Sequence, residues 1–156
     1  MSTALLAVAA ALLYLAASGL QLLHLSQNRP LVSRPVLGMG LVALLCHAIV
    51  AWDSITSSAG LNLGFYKVSA LIFLVVNVAC IVTLFRRPLQ NLLVALFPLS
   101  AIAVLVSTFV PDTALVQGDM GLGMGLHIGS SILAFWVLTM AAVQAAIVAM
   151  QDHQLR

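Results

Sequence analysis

The sequence predicts an all-α polytopic transmembrane bundle of about five helices. Of the 156 residues, 63% are hydrophobic and only 6% are charged, and the mean hydropathy is +1.17. A soluble domain carries roughly a quarter charged residues, so the surface of this chain must be solvated by lipid. Five apolar stretches also approach the length of about 20 residues that a helix needs to cross a bilayer core. These observations predict one transmembrane domain over residues 1–156.

The predicted helices follow the five apolar stretches in order, at residues 3–25, 36–52, 65–85, 89–110 and 126–150. In the first helix the apolar run continues past a cluster of small residues, which favours a retained helix over a cleaved signal peptide. Pro98 predicts a kink in the fourth helix, where a neighbouring helix can satisfy the freed carbonyl. Ser130 and Ala134 begin a small-residue pattern that predicts close packing of the fifth helix.

Charged residues predict the orientation, because arginine-rich loops remain cytoplasmic. Four arginines mark the first and third loops: Arg29, Arg34, Arg86 and Arg87. Three acidic residues mark the second and fourth loops: Asp53, Asp112 and Asp119. The N-terminus is therefore expected outside and the C-terminus in the cytoplasm, with Lys67 the single basic residue near the outer loops. The net charge of +2 reports this orientation and not nucleic-acid binding.

The fourth loop, residues 111–125, is expected to be a flexible outer connection. It contains four of the ten glycines: Gly118, Gly121, Gly123 and Gly125. The segment GLGMG lacks the lysine, the preceding strand and the βαβ context of a phosphate-binding loop, so we do not expect nucleotide binding there.

Few polar side chains are predicted inside the membrane. Asn77 lies midway along the third helix and shares a face with Phe73 and Cys80, which favours an interhelical hydrogen bond, with ligand contact as the alternative. Cys46 and Cys80 are expected to be small buried side chains, because their spacing fits no metal site. No nucleophile–base pair or carboxylate pair is apparent, so we do not expect an enzyme.

The four histidines differ in predicted depth. His24 and His153 lie at the inner interface and in the cytoplasmic tail, where solvated side chains are expected. His47 and His127 reach the same outer leaflet, and the hydroxyl of Ser131 is placed to bond the ring of His127. Two imidazoles from different helices can form a bis-histidine haem site. The alternative is that each histidine simply holds two helices together.

Four segments resemble the YpjD/HemX-like branch of the cytochrome c assembly superfamily, which includes the CcsA- and CcmC-type haem-handling proteins. They are CHAI at 46–49, GLNLGFYKVSALIFL at 60–74, the loop at 109–111 and LHIGSSILAFWVLTMAAVQAA at 126–146. The resemblance covers essentially the whole chain. It implies a multi-pass protein of the bacterial inner membrane that binds or hands on haem at the outer leaflet. His127 matches a haem-ligating histidine of the CcsA-type relatives, and His47 is the candidate second ligand.

The sequence departs from that family in two respects. The haem-handling members carry a tryptophan-rich outer loop and a further outer histidine, and this sequence ends at Arg156 before that region. The family has about eight helices, so we expect these five to be an N-terminal portion. Two functions remain open. One is haem binding or transfer together with other cytochrome c maturation proteins. The other is a non-catalytic HemX-type regulator or assembly partner, in which the histidines make packing or partner contacts.

Overall fold

A computed structural model describes residues 2–27, 33–57, 60–84, 90–116 and 121–155. Five helices dominate: α1 (Thr3–Ser26), α2 (Arg34–Ile55), α3 (Phe65–Leu84), α4 (Gln90–Phe109) and α5 (Leu122–Leu155). Each is long and apolar enough to cross a membrane, which confirms the predicted all-α polytopic architecture. Arg29, Arg86, Arg87, Gly118 and Asp119 lie outside the described residues.

The chain forms two compact units, Met1–Gly118 and Asp119–Arg156, which we call unit 1 and unit 2. Unit 1 contains the first four helices. In it, α1 packs against α2 and α4, and α3 packs against the same two helices. The buried face of α1 is built largely from small side chains: Ala7, Ala10, Ala11, Ala17 and Ser18. Small residues let helix backbones approach closely, which is how helices associate where lipid removes the hydrophobic driving force.

The second unit corrects one expectation from the sequence. Helix α5 begins at Leu122, four residues before the predicted start, so Gly123 and Gly125 are helical and not part of a flexible loop. The amides of Met124 and Gly125 donate to the carbonyl of Gly121 at 3.0 and 3.2 Å. Glycine costs a helix about 1 kcal/mol relative to alanine. Where no water is available, that cost is smaller than the cost of leaving backbone groups unpaired.

A small antiparallel sheet joins two loops of unit 1 that lie far apart in sequence. Its strands are β1 (Thr56–Ser57), β2 (Gly60–Asn62) and β3 (Leu115–Val116), in the order β1-β2-β3. Gly60, the first residue of β2, has a φ of 127°, a value that favours glycine. The sheet was not predicted. It places the second loop and the segment after α4 on the same side, as the charge pattern requires.

Helix α4 continues through Pro98 because a neighbouring helix supplies the missing hydrogen bond. Proline has no N–H, so the carbonyl four residues earlier, that of Val94, loses its helical partner. The hydroxyl of Ser18 on α1 donates to this carbonyl at 3.0 Å. The expectation that a neighbouring helix would satisfy the freed carbonyl is therefore confirmed, and Ser18 is the residue that does so.

Candidate functional site

The ring of His47 lies in the interior of unit 1, on the buried face of α2. It is 0% exposed, and its Nδ1 atom lies 3.3 Å from the hydroxyl oxygen of Tyr14 on α1. The two rings meet edge to face, with centroids 5.9 Å apart and planes at 84°. A buried tyrosine hydroxyl needs a hydrogen-bond partner, and His47 provides it. This pair ties α1 to α2.

Helix α4 also holds the Tyr14 ring in place. Phe97 stacks against it in a tilted arrangement, with centroids 5.2 Å apart. The edge of the Phe97 ring approaches α2 so closely that a Cβ at Gly40 would lie 2.9 Å from its Cζ atom. Glycine at position 40 therefore makes room for the aromatic ring, and three helices converge on the Tyr14–His47 pair.

The remaining nitrogen of His47 is enclosed as well. Its Nε2 atom is buried and forms no hydrogen bond with the described residues. A haem ligand must present a ring nitrogen to iron at the centre of a broad planar macrocycle. His47 is 0% exposed and its ring meets Tyr14 on α1, and its role as a haem ligand stays a prediction. The geometry of His47 fits the alternative, a histidine that joins helices.

Asn77 forms the interhelical hydrogen bond expected from the sequence. Its Nδ2 atom donates to the carbonyl of Phe73 on its own helix and to the hydroxyl of Ser100 on α4, at 2.8 and 2.5 Å. Ser100 in turn donates to the carbonyl of Leu96 at 2.8 Å. Asn77 and Ser100 are both 0% exposed, so this network links α3 to α4 inside the bundle.

His127 lies near the start of α5, in unit 2. The hydroxyl of Ser131 donates to the backbone carbonyl of His127 at 2.8 Å, and that of Ser130 does so at 3.0 Å. Ser131 thus bonds the backbone here and not the ring, because helical serines readily donate back to a carbonyl of the preceding turn. Within the described part of the chain, the imidazole of His127 has no hydrogen bond. Its pairing with His47 stays a prediction.

The other two histidines lie at helix ends. His24 is half-buried in the last turn of α1, and His153 lies near the end of α5. Among the residues with described positions, no group of three or more histidine, cysteine or acidic side chains could hold a metal ion.

An unpredicted polar junction fixes the outer loops of unit 1. The carboxylate of Asp112 accepts a hydrogen bond from the amide of Tyr66 at 2.7 Å, and so caps the N-terminus of α3 from a distant loop. A carboxylate is favourable there because the first amides of a helix lack partners and carry partial positive charge. The ammonium group of Lys67 donates to the backbone carbonyl of Asp112 at 2.9 Å.

Asn62 completes this junction. Its Oδ1 atom accepts hydrogen bonds from the amides of Gly64 and Ala114, at 3.2 and 3.0 Å. A Cβ at Gly64 would lie 2.6 Å from the carboxyl carbon of Asp112, so only glycine leaves space for the cap. The junction joins the segment before α3 to the segment after α4.

Sequence reasoning missed Tyr14, Ser18 and the Asp112 junction. Of the three, Tyr14 was the easiest to predict from the sequence, because a tyrosine deep in an apolar stretch must find a hydrogen-bond partner for its hydroxyl. Ser18 and Asp112 gave no local signal. Their partners lie 76 and 46 residues away along the chain.

Comparison with known proteins identifies one group of relatives. The chain is 29% identical over 117 residues to the inner membrane protein YpjD of Escherichia coli strain K12, and equally to YpjD of the O6:H1 and O157:H7 strains. The aligned region covers 74% of this chain and 44% of the relative, so the chain spans less than half the length of these proteins. No family model matches, and no solved structure matches.

The similarity to an inner membrane protein and the five membrane-spanning helices lead to the same conclusion. This chain is a multi-pass protein of the inner membrane. Its similarity to YpjD supports the part of the predicted resemblance that concerns a YpjD-like membrane protein. The wider link to cytochrome c assembly, and to haem, stays a prediction.

Proposed function

We propose that this chain is part of an inner-membrane protein of cytochrome c assembly that binds or hands on haem at the outer leaflet, with His127 as the candidate ligand. The observation that carries the proposal is that the imidazole of His127 has no hydrogen bond within the described part of the chain, because Ser130 and Ser131 donate to its backbone carbonyl. Its ring nitrogens are therefore not committed elsewhere. The resemblance of the surrounding segment to haem-handling proteins supports the same role.

A bound haem would supply an iron centre that accepts an imidazole nitrogen as axial ligand. The chain itself would contribute a ring carried on a regular helix, whose backbone is fixed by ordinary helical hydrogen bonds. Because neither serine holds the ring, its rotamer and tautomer would be set by what binds. The four helices of unit 1 would act as a membrane scaffold, and His47 would stabilise that scaffold through Tyr14.

A second function is favoured by the geometry of His47. If the histidine expected to be the second ligand is instead a packing group, the chain could serve as a non-catalytic HemX-type regulator or assembly partner that never ligates haem. The burial of His47 and its bond to Tyr14 support this alternative. The other cytochrome c maturation proteins would then be its partners, and His127 would make a protein contact.

Absorption spectra of the purified chain with added haem separate the two functions. The wild-type protein in detergent should give the spectrum of imidazole-ligated haem, and His127→Ala should abolish it. Tyr14→Phe is the matched control, because it removes the bond to His47 without touching His127, and it should leave the spectrum unchanged. Spectra unaltered by both His127→Ala and His47→Ala would contradict haem ligation and support the partner role.

A further inference from the structure

Two of the buried side chains in unit 1 that have polar atoms without partners are amides, Gln21 and Asn77. Gln21 is 0% exposed on α1, and neither its Oε1 nor its Nε2 atom has a hydrogen-bond partner among the described residues. The hydroxyl of Ser18, one turn earlier on the same helix, is already committed to the carbonyl of Val94. The amide of Gln21 therefore needs both a donor and an acceptor from elsewhere.

Asn77 also has a buried polar atom without a hydrogen-bond partner, its Oδ1. Its Nδ2 atom has two hydrogens, and the Phe73 carbonyl and the Ser100 hydroxyl use both. The Phe73 carbonyl also fixes the orientation of the amide, because a flipped group would place two acceptor oxygens against each other. The Oδ1 atom of Asn77 therefore stays buried with no donor in the described part of the chain.

We propose that unit 1 binds internal water at two places, one at the Gln21 amide and one at Oδ1 of Asn77. Lipid tails offer no hydrogen bonds, and an unpaired polar group in a dry interior is costly, so each amide requires a polar occupant. Water can accept a hydrogen bond from Nε2 of Gln21 and donate one to its Oε1 atom, and it can donate one to Oδ1 of Asn77. Buried waters of this kind make about three hydrogen bonds to otherwise unsatisfied groups.

The two sites lie at different levels of the membrane. Gln21 is less than two turns from the end of α1, about 7.5 Å along the helix axis at 1.5 Å per residue, near the side predicted to be cytoplasmic. Asn77 is about 18 Å from the start of α3, close to the middle of the bilayer. Water at Gln21 should therefore exchange with the cytoplasmic solution faster than water at Asn77.

Solid-state nuclear magnetic resonance of the full chain in lipid bilayers tests this proposal, with water as the probe. Magnetisation transferred from water should reach the side-chain amides of Gln21 and Asn77 well before it reaches the backbone amides of Ala10 and Ala43, which are 0% exposed and apolar. The exposed side chain of Gln27 is the positive control. Transfer to either amide that is no faster than to Ala10 and Ala43 would overturn the site at that residue.

A stability measurement supplies a second readout for Gln21. A dry, unpaired amide should be improved by an apolar side chain of similar size, so Gln21→Leu would raise the melting temperature relative to Gln27→Leu. A hydrated amide predicts an equal or lower melting temperature, because the substitution removes two hydrogen bonds to water. A raised melting temperature would overturn the proposal at Gln21. The wild-type resonance experiment decides the question even if this variant does not fold.

Discussion

Ser18 is expected to stabilise the bundle only because position 98 is a proline. In the wild-type chain, Ser18→Ala removes the 3.0 Å bond to the Val94 carbonyl and leaves that carbonyl without its helical donor. Interhelical hydrogen bonds in membranes contribute about 0.6 kcal/mol on average and up to about 2 kcal/mol. Leaving a buried acceptor unpaired costs about 1–3 kcal/mol. We therefore expect a loss of about 1–2 kcal/mol in the free energy of unfolding.

The Pro98→Ala background should remove most of that loss. The substitution restores an N–H at position 98, which can donate to the Val94 carbonyl in the ordinary helical pattern. Ser18→Ala should then cost about 0.5 kcal/mol or less, which gives a coupling energy of about 1 kcal/mol between the two positions. The matched control is Ser26→Ala, because Ser26 lies on the same helix, is exposed and donates only to the nearby Leu23 carbonyl.

Reversible unfolding in mixed detergent micelles, followed by helical circular dichroism, measures these differences. Four proteins complete the cycle: the wild type, each single variant and the double variant. A cost of Ser18→Ala that is the same in both backgrounds would refute the reasoning, because Ser18 would then stabilise the bundle by some other contact. A loss of similar size in Ser26→Ala would show that the assay reports serine removal in general.

Three further outcomes follow from the packing and the outer junction. Tyr14→Phe should lower the unfolding free energy by about 0.6–2 kcal/mol, because it removes the hydroxyl bond to the buried His47 ring. An unfolding free energy equal to that of the wild type in a denaturant titration would show that this bond contributes nothing. Gly40→Ala should cost about 1–3 kcal/mol because its Cβ would meet the Phe97 ring at 2.9 Å, and Phe97→Leu should relieve that cost in the same titration. Asp112→Ala should cost about 1 kcal/mol and speed hydrogen exchange at the Tyr66 amide, whereas unchanged exchange would argue against the cap.

The sequence was sufficient to predict the helices because the bilayer imposes a length on each of them. Hydropathy located all five helices, and the charge pattern placed the second loop and the segment after α4 on one side, where the β-sheet joins them. Side-chain partners could not be predicted in the same way. They depend on which helices are neighbours and on how each is rotated. Tyr14 and His47, for example, are 33 residues apart, and no local pattern connects them.

The match between His47 and His127 rests on depth alone, without rotation about the helix axis. His47 and His127 were matched by their distance from the membrane surface, which says nothing about the direction each ring faces. The sequence around His47 does contain that information. Gly40, Ala43 and Val50 lie seven, four and three residues from His47, respectively, so they share its face of the helix. All three are buried in the structure. A histidine on a face of small residues points toward helix packing, where its ring serves a neighbouring helix. A haem-binding test that substitutes His47 alone would therefore also report on folding, because His47 joins α1 to α2 through Tyr14.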